Sequence, residues 1–230
     1  MTISLIVPAA GCGARVGLGA NKILAPLGRR PLLWHTIQAL TGVDYAPHQP
    51  LELIIAAQRT EFELIEEAVG ETALPLRLVE GGATRQDSVE AAVKAATGDL
   101  VLVHDAARPC VEPQYVTATC QAAAETGAAI LAVAASDTVK RAHSTPQGLQ
   151  IAETIPRETV YLAQTPQVFR RALLLSALER ARAEGFAGTD CASLVERGGH
   201  PVSLVAGSPR NLKVTYAEDL ARAEALLRQN

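Results

Sequence analysis

The chain has 230 residues, 48% of them hydrophobic but only 3% aromatic, and a formal net charge of -3 at pH 7. That length buries about 70% of the unfolded surface without staples, so one domain over 1–230 is expected, with a core of Ala, Val, Leu and Ile. The charge balance and the scarcity of aromatics exclude a typical nucleic-acid binder, and no run reaches membrane-spanning length. The N-terminus lacks a signal-peptide pattern, and Cys12, Cys110, Cys120 and Cys191 form neither a CxxC pair nor a zinc spacing, so a soluble cytoplasmic protein with reduced thiols is expected.

The first predicted element is an apolar strand over 3–8. It runs into Ala9-Ala10-Gly11-Cys12-Gly13-Ala14-Arg15-Val16-Gly17, with Lys22 close behind. Small residues let backbone N–H groups approach an anion, and Arg15 and Lys22 add positive charge, so a polyphosphate is the natural guest. The loop is not a P-loop, because Lys22 follows Asn21 and precedes Ile23. Nor is it a dinucleotide fingerprint: Val16 stands where the third glycine belongs, and the next helix signal comes only at Pro31.

A helix is predicted over about 31–41. A strand over 51–57 follows, ending in Gln58-Arg59 without a ribose-binding acid. Then come a helix over 60–69, a strand over 76–80 that opens into Gly81-Gly82, and a helix over 86–97. A strand over 99–104 leads into His104-Asp105-Ala106-Ala107-Arg108-Pro109, followed by a helix over 113–126 and a strand over 128–134. Short continuous apolar runs are the mark of strands covered on both faces. Strands alternating with helices imply right-handed crossovers, and hence an α/β fold: a mostly parallel twisted sheet with helices on both faces, Rossmann-like. The three small-residue loops then share the rim beyond the strands' carboxyl ends, where ligands bind in such sheets.

The alternation stops at Asp137-Thr138-Val139-Lys140-Arg141 and Leu149-Gln150-Ile151-Ala152-Glu153-Thr154, which flank Ser144–Gly148. This predicts a β-hairpin arm at about 136–160. Helices near 170–184, 190–198 and 216–228 and a strand at 201–205 complete the chain. One carboxylate at a strand end, Asp105, suits Mg²⁺ shared with phosphate oxygens and water, or else caps the turn before Arg108-Pro109. His104 has no second histidine nearby and reads as structural.

Seven motifs stand together in order: Pro8-Ala9-Ala10-Gly11-x-Gly13-x-Arg15, Gly81-Gly82-x-x-Arg85-x-x-Ser88-Val89, His104–Pro109, Asp137-Thr138-Val139-Lys140, Thr165-Pro166-Gln167, Thr189-Asp190 and Asn211-x-Lys213-Val214-Thr215. In this the chain resembles the 2-C-methyl-D-erythritol 4-phosphate cytidylyltransferases of the non-mevalonate isoprenoid pathway, from Pro8 to Thr215. The resemblance implies transfer of a cytidylyl group from CTP to the polyol phosphate, with release of pyrophosphate and use of Mg²⁺ at Asp105. It implies that Arg15 and Lys22 steady the triphosphate and the transition state and that Lys213 lies near the α-phosphate. Ala9, Ala10, Gly11, Gly13, Arg85 and Ala106 fall in its nucleotide site, and Gly81, Gly82 and Ser88 in its base pocket. Arg108, Thr165 and Thr189 fall in its polyol-phosphate site, with Thr138 and Arg157 reaching that site from the arm of a second subunit, so a homodimer is implied. A phosphate nucleophile is already anionic at pH 7, so the chemistry calls for cations and fixed dipoles rather than a general base.

Each residue also has a plainer reading. Arg15, Lys22 and Lys213 would be solvated charges, Arg108 an ion-pair partner of Asp105, Ser88 a helix-start hydroxyl, and Thr165 and Thr189 caps or turn residues. The hairpin would be a ribbon packed on its own chain. The sequence departs from the family pattern at Asn21-Lys22-Ile23, Val16, Ala83 and Cys191. A ribitol 5-phosphate cytidylyltransferase, another sugar-phosphate nucleotidyltransferase and a non-catalytic nucleotide sensor are the competing functions.

Overall fold

Period-two alternation along the first strand decides the layering. In the computed structural model, which describes residues 1–11 and 21–229, β1 (Thr2–Pro8) is buried on both faces. Ile3, Leu5 and Val7 point into one core and Ile6 into the other. A 3-10 turn (Lys22–Leu24) and a small hairpin, β2 (Pro26–Leu27) and β3 (Arg30–Pro31), precede α1 (Leu32–Thr41), β4 (Gln49–Ala57) and α2 (Phe62–Val69). Next come β5 (Leu76–Glu80), α3 (Arg85–Ala95), β6 (Leu100–Val103), α4 (Pro113–Thr126) and β7 (Ala128–Ala134). The arm is β8 (Val139–Thr145) and β9 (Gly148–Ile155). The chain ends with β10 (Tyr161–Arg170), α5 (Arg171–Ala183), α6 (Cys191–Arg197), β11 (Ser203–Ala206) and α7 (Ala217–Leu227).

Seven strands form one sheet in the order β11-β7-β10-β6-β1-β4-β5. Its pairings are parallel except along β10, which runs antiparallel to both β6 and β7. The core on one face takes Leu33 and Ile37 of α1, Ile65 of α2, Val116 and Cys120 of α4 and Ala223 of α7. On the other face it takes Val89 and Val93 of α3, Leu174 and Leu178 of α5 and Leu194 and Val195 of α6. Each of the Val, Leu and Ile side chains among these contributes about 1.5–3 kcal/mol by leaving water.

The structure corrects the expected pattern at β10, a central strand that the sequence reading passes over. Pro166 argues against an interior strand because it has no N–H to give to a ladder. The fold accommodates it where the ladder to β7 shifts register between Ala163 and Gln167. The arm is an elaborated connection: β7 leaves the sheet, β8 and β9 pair only with each other, and the chain returns as β10 beside β7. Ala135 N–H to Val160 O (2.9 Å) closes the base of the arm. Along the arm, Leu149 is 79% exposed and Ile151 64% exposed. No helix among the described residues is long and apolar enough to cross a membrane.

At the amino ends of the strands, a buried carboxylate ties β1, β4 and the loop before β6 together. Glu52 Oε1 accepts from Ser4 Oγ (2.8 Å), Thr97 N (2.8 Å) and Thr97 Oγ1 (2.6 Å). Burial pushes the Glu52 carboxyl up, but the Thr97 and Ser4 hydrogen bonds and the more distant Arg77 outweigh it, so it stays below the ordinary glutamate value of 4.5. A depressed carboxyl stabilises the fold above its unfolded pKa, and that contribution fades as pH falls toward the folded one. Replacing Glu52 by Ala removes the acceptor of three hydrogen bonds, one of them from the buried Ser4, and is expected to cost on the order of 1–3 kcal/mol in urea unfolding at pH 7. The gap between wild type and variant should narrow below pH 4.5, and a gap that is constant with pH would remove the assigned role of the charge.

Candidate active site

Parallel pairing puts the carboxyl ends of β1, β5 and β6 on one rim, and the loops leaving them line one cleft. Its walls include Ala9, Ala10 and Gly11 after β1, Gly82, Ala83 and Thr84 after β5, and Asp105, Ala106 and Ala107 after β6. Lys22, Arg85, Ser88 and Lys213 complete it. The structure therefore brings together residues that the sequence separates by almost its whole length. Gly13 and Arg15 lie outside the described residues.

Asp105 is the electrostatic centre. Its Oδ1 accepts from Arg85 Nε (3.1 Å), with Arg85 Nη2 at 3.1 Å, and its Oδ2 accepts from Lys213 Nζ (2.8 Å). Arg108 Nε stands 3.6 Å from Oδ2. Burial pushes the Asp105 carboxyl up, but the charges of Arg85, Lys213 and Arg108 overcome this and hold it far below the usual carboxylate range. Asp105 is thus ionised at any working pH and bridges three cations. The ion pair between Arg108 and Asp105, one of the two sequence readings of Arg108, is present.

The loop after β6 is held from below. Asp105 N–H donates to Thr165 Oγ1 (3.0 Å). His104 Nε2 lies 3.0 Å from the Arg108 carbonyl, which only accepts, so Nε2 carries the proton and Nδ1 accepts from Thr165 Oγ1 (3.2 Å). Burial of the ring pushes the His104 pKa down to about 4, against the pull of the Arg108 carbonyl hydrogen bond. The structural reading of His104 fits this environment. Thr165 is only 3% exposed, and its hydroxyl is committed to orienting the backbone of Asp105. Thr36 Oγ1 of α1 donates to Ala106 O (2.9 Å) from the other side.

Lys213 reaches Asp105 because its segment pairs with the same loop. Val214 N–H donates to Ala107 O (2.8 Å), and the fully buried Asn211 donates to Thr165 O (2.8 Å) and accepts Arg108 Nη1 at its own carbonyl (2.7 Å). Asn211 stands in the Asn211-x-Lys213-Val214-Thr215 motif, but its role as a scaffold is not legible from the sequence. Asn21 is a second such scaffold. Its amide donates to Ala9 O and to Glu61 Oε2 (3.0 Å each), pinning the start of the Lys22 turn to the end of β1. An Asn directly before the lysine was the available signal.

The base-pocket candidates sit at the start of α3, whose cap Thr84 and Asp87 form a capping box. Gly82 N–H donates to Ser88 Oγ (3.2 Å), and Ser88 Oγ donates to Thr84 O (3.0 Å), so the helix-start reading of Ser88 holds while its side chain still faces the cleft. A Cβ on Gly81 would lie 2.6 Å from Ala10 Cβ, which explains the glycine: the two loops touch there. Arg85 Nη1 also reaches Cys191 Sγ (3.6 Å), so the unusual cysteine packs against the guanidinium.

Other candidates stand apart from this cleft. Thr189 lies with Asp190 and Cys191 in a smaller adjoining depression that shares Arg85. Thr138 is exposed at the foot of the arm, and the exposed Arg157 donates to Ser136 O (2.8 Å) beside it. Neither lines the cleft of its own chain.

A mostly parallel sheet whose strand ends present glycine-rich backbone, cations and one carboxylate defines an α/β nucleotidyltransferase. The family model described as IspD, 2-C-methyl-D-erythritol 4-phosphate cytidylyltransferase, matches residues 3–229, and the chain belongs to that family. A relative of that name from Acidobacterium capsulatum is 42% identical, with 100% of this chain and 98% of that protein covered. Another from Bacillus licheniformis is 40% identical, over 99% of this chain and 96% of the relative. Among solved structures, the 2-C-methyl-D-erythritol 4-phosphate cytidylyltransferase of Thermus thermophilus superposes with a TM-score of 0.79 at 36% identity, covering 99% of this chain and all of that one. The 4-diphosphocytidyl-2C-methyl-D-erythritol synthase of Anaerococcus prevotii gives 0.84 at 30% identity, covering 98% of each chain.

Removing the charge of Asp105 leaves Arg85, Arg108 and Lys213 facing one another. The Asp105→Asn variant is expected to melt roughly 6–20 °C below wild type, given the usual cost of breaking a buried pair and the size of the chain. Added pyrophosphate should recover part of the loss in differential scanning fluorimetry. Melting at the wild-type temperature would mean that the cluster carries no net stability.

Proposed function

We propose that this chain joins CTP and 2-C-methyl-D-erythritol 4-phosphate to give 4-diphosphocytidyl-2-C-methyl-D-erythritol and pyrophosphate. The observation that carries this reading is the convergence of Arg85, Arg108 and Lys213 on Asp105 at the strand ends, with Lys22 in the wall of the same cleft, in a chain that belongs to this family. The relatives' names favour this tetritol phosphate over ribitol 5-phosphate, and so many cations in and beside one cleft are more than a nucleotide sensor needs.

An oxygen of the polyol phosphate attacks the α-phosphorus of CTP, the bond from that phosphorus to the oxygen bridging toward the β-phosphorus breaks, and pyrophosphate leaves with the electron pair. Two anions must meet, and negative charge shifts onto the leaving group, so preorganised cations lower the barrier. The Lys213 side chain is 41% exposed at the cleft wall, and its Nζ trades Asp105 Oδ2 for a phosphate oxygen when the triphosphate enters. Lys22 steadies the triphosphate from the cleft wall, where the backbone around Ala9, Ala10, Gly11 and Ala106 faces it, and the family resemblance assigns Arg15 and Gly13 to the same task. The free lone pair of Ser88 Oγ receives the cytosine amino group beside Gly82.

Asp105 fits Mg²⁺ by its chemistry. It supplies one hard anionic oxygen, no group of three ligating side chains exists among the described residues, and Mg²⁺ takes one or two carboxylates with phosphates and water. When bound, the ion neutralises triphosphate charge. Arg108 and Thr189 contact the polyol phosphate directly, and Thr165 acts by orienting Asp105. The exposed arm delivers Thr138 and Arg157 to a second subunit's cleft, which makes the enzyme a homodimer with shared sites. Buried reduced cysteines accord with a cytoplasmic setting.

Pyrophosphate release measured with CTP and each polyol phosphate in parallel, with UTP and ATP as controls, tests the reaction. Turnover only with ribitol 5-phosphate would overturn the substrate. Lys22→Ala and Lys213→Ala are each expected to lower kcat by about a hundredfold or more. Unchanged turnover in both would refute their roles. Arg157→Ala should raise KM for the polyol phosphate more than KM for CTP. Mixed with Lys213→Ala in re-formed dimers and assayed at subsaturating polyol phosphate, it should give more activity than the two variants give separately. No gain would sink the shared site.

A further inference from the structure

The segment between α5 and α6 carries Thr189 and is mostly exposed. Its backbone is nevertheless fixed, and one side chain from the nucleotide half of the molecule does much of the fixing. Gln86 Nε2 donates to Phe186 O (3.3 Å), and Gln86 Oε1 accepts from Gly188 N (3.0 Å). A primary amide holds a donor and an acceptor in one plane. It therefore matches the C=O and N–H of residues i and i+2 on an extended edge, as a neighbouring strand would. The far end of the segment is held separately, by Gln167 Oε1 from Cys191 N (3.0 Å) and by Gln167 Nε2 to Asp190 Oδ2 (2.7 Å). Gly188 packs so tightly on α6 that a Cβ there would lie 2.6 Å from Leu194 Cδ2.

Gln86 follows Arg85, which holds Asp105, and precedes Ser88, which holds Gly82. One turn of α3 therefore connects the carboxylate, the base pocket and the segment bearing Thr189. We propose that Gln86 is a positioning residue for the second substrate: its side-chain amide clamps residues 186–188 to α3 and so fixes Thr189 at the polyol-phosphate site. This rests on the reading that Thr189 contacts the polyol phosphate. If the clamp is lost, the segment spends only part of its time in the competent arrangement, and apparent affinity falls by that fraction. The nucleotide loops keep their own bonds, so the effect should be confined to one substrate.

Steady-state kinetics on the full-length enzyme test this. Gln86→Ala is expected to raise KM for the polyol phosphate about tenfold, with KM for CTP and kcat at saturation within twofold of wild type. Gln86→Glu keeps the acceptor for Gly188 but sets a carboxylate against the Phe186 carbonyl, and it should lose as much. Without any substrate, amide exchange in 186–190 should quicken in Gln86→Ala while α3 exchanges as before; a purely scaffolding role would loosen α3 as well. A polyol-phosphate KM within twofold of wild type, or an equal rise for CTP, would overturn the proposal. Thr189→Ala separates the two layers. If it raises the polyol-phosphate KM while Gln86→Ala does not, positioning alone is overturned. If Thr189→Ala itself has no effect, the reading of Thr189 fails and takes the role of Gln86 with it.

Discussion

A single buried carboxylate organises the reactive end of this molecule. Asp105 draws Arg85 from the start of α3, Arg108 from its own loop and Lys213 from more than a hundred residues away. None of these cations would stay so close to the others without it, since like charges a few ångströms apart in a partly dry cleft repel by several kcal/mol. The cluster still holds more positive than negative charge. It is stable as it stands and remains poised for an anion, and a triphosphate can take over contacts that the carboxylate now satisfies. Ion pairing thus stores the cations in position before substrate arrives, which is what electrostatic preorganisation requires.

The carboxylate is in turn held by uncharged groups. The antiparallel β10 lies against β6 and places Thr165 under the Asp105 amide, and the buried, neutral His104 completes that contact from the other side. Asn211 and the Val214–Ala107 hydrogen bond lay the Lys213 segment along the same loop. Residues that the family resemblance groups as substrate contacts therefore divide by burial. Thr165 is inside and works through another residue, whereas Thr189 is at the surface. Cys191, a departure from the family pattern, is absorbed as a packing partner of Arg85. Ala83 lines the cleft and offers no polar side chain.

The arm gives the architecture its incompleteness. β8 and β9 bury little against their own chain, and their exposed Leu149 and Ile151 have no covering element. Thr138 and Arg157 are carried away from the cleft of the same chain. On the proposed reading, the second subunit repairs both deficits: it covers the apolar surface and receives the two side chains. The polyol-phosphate half of the site then belongs to the dimer, while the nucleotide half belongs to each chain.

Much of this was legible in the sequence, for local reasons. Continuous apolar runs identified five strands of the main sheet, and the loops at three strand ends marked the rim, because the carboxyl ends of parallel strands must share one edge. Alternating polar residues around a turn identified the arm. β10 was not legible, because Pro166 argues against a strand until a neighbouring register shift makes room for it. The roles of Asn21, Asn211, Gln86 and Gln167 were hidden as well, since an amide's partner is set by which backbone groups tertiary packing leaves beside it. Residue types and their order determined the layered sheet and the phosphate-suited loops. Only the folded chain decided which charges meet at Asp105, because contacts between residues far apart in sequence are fixed by sheet order and burial, not by spacing along the chain.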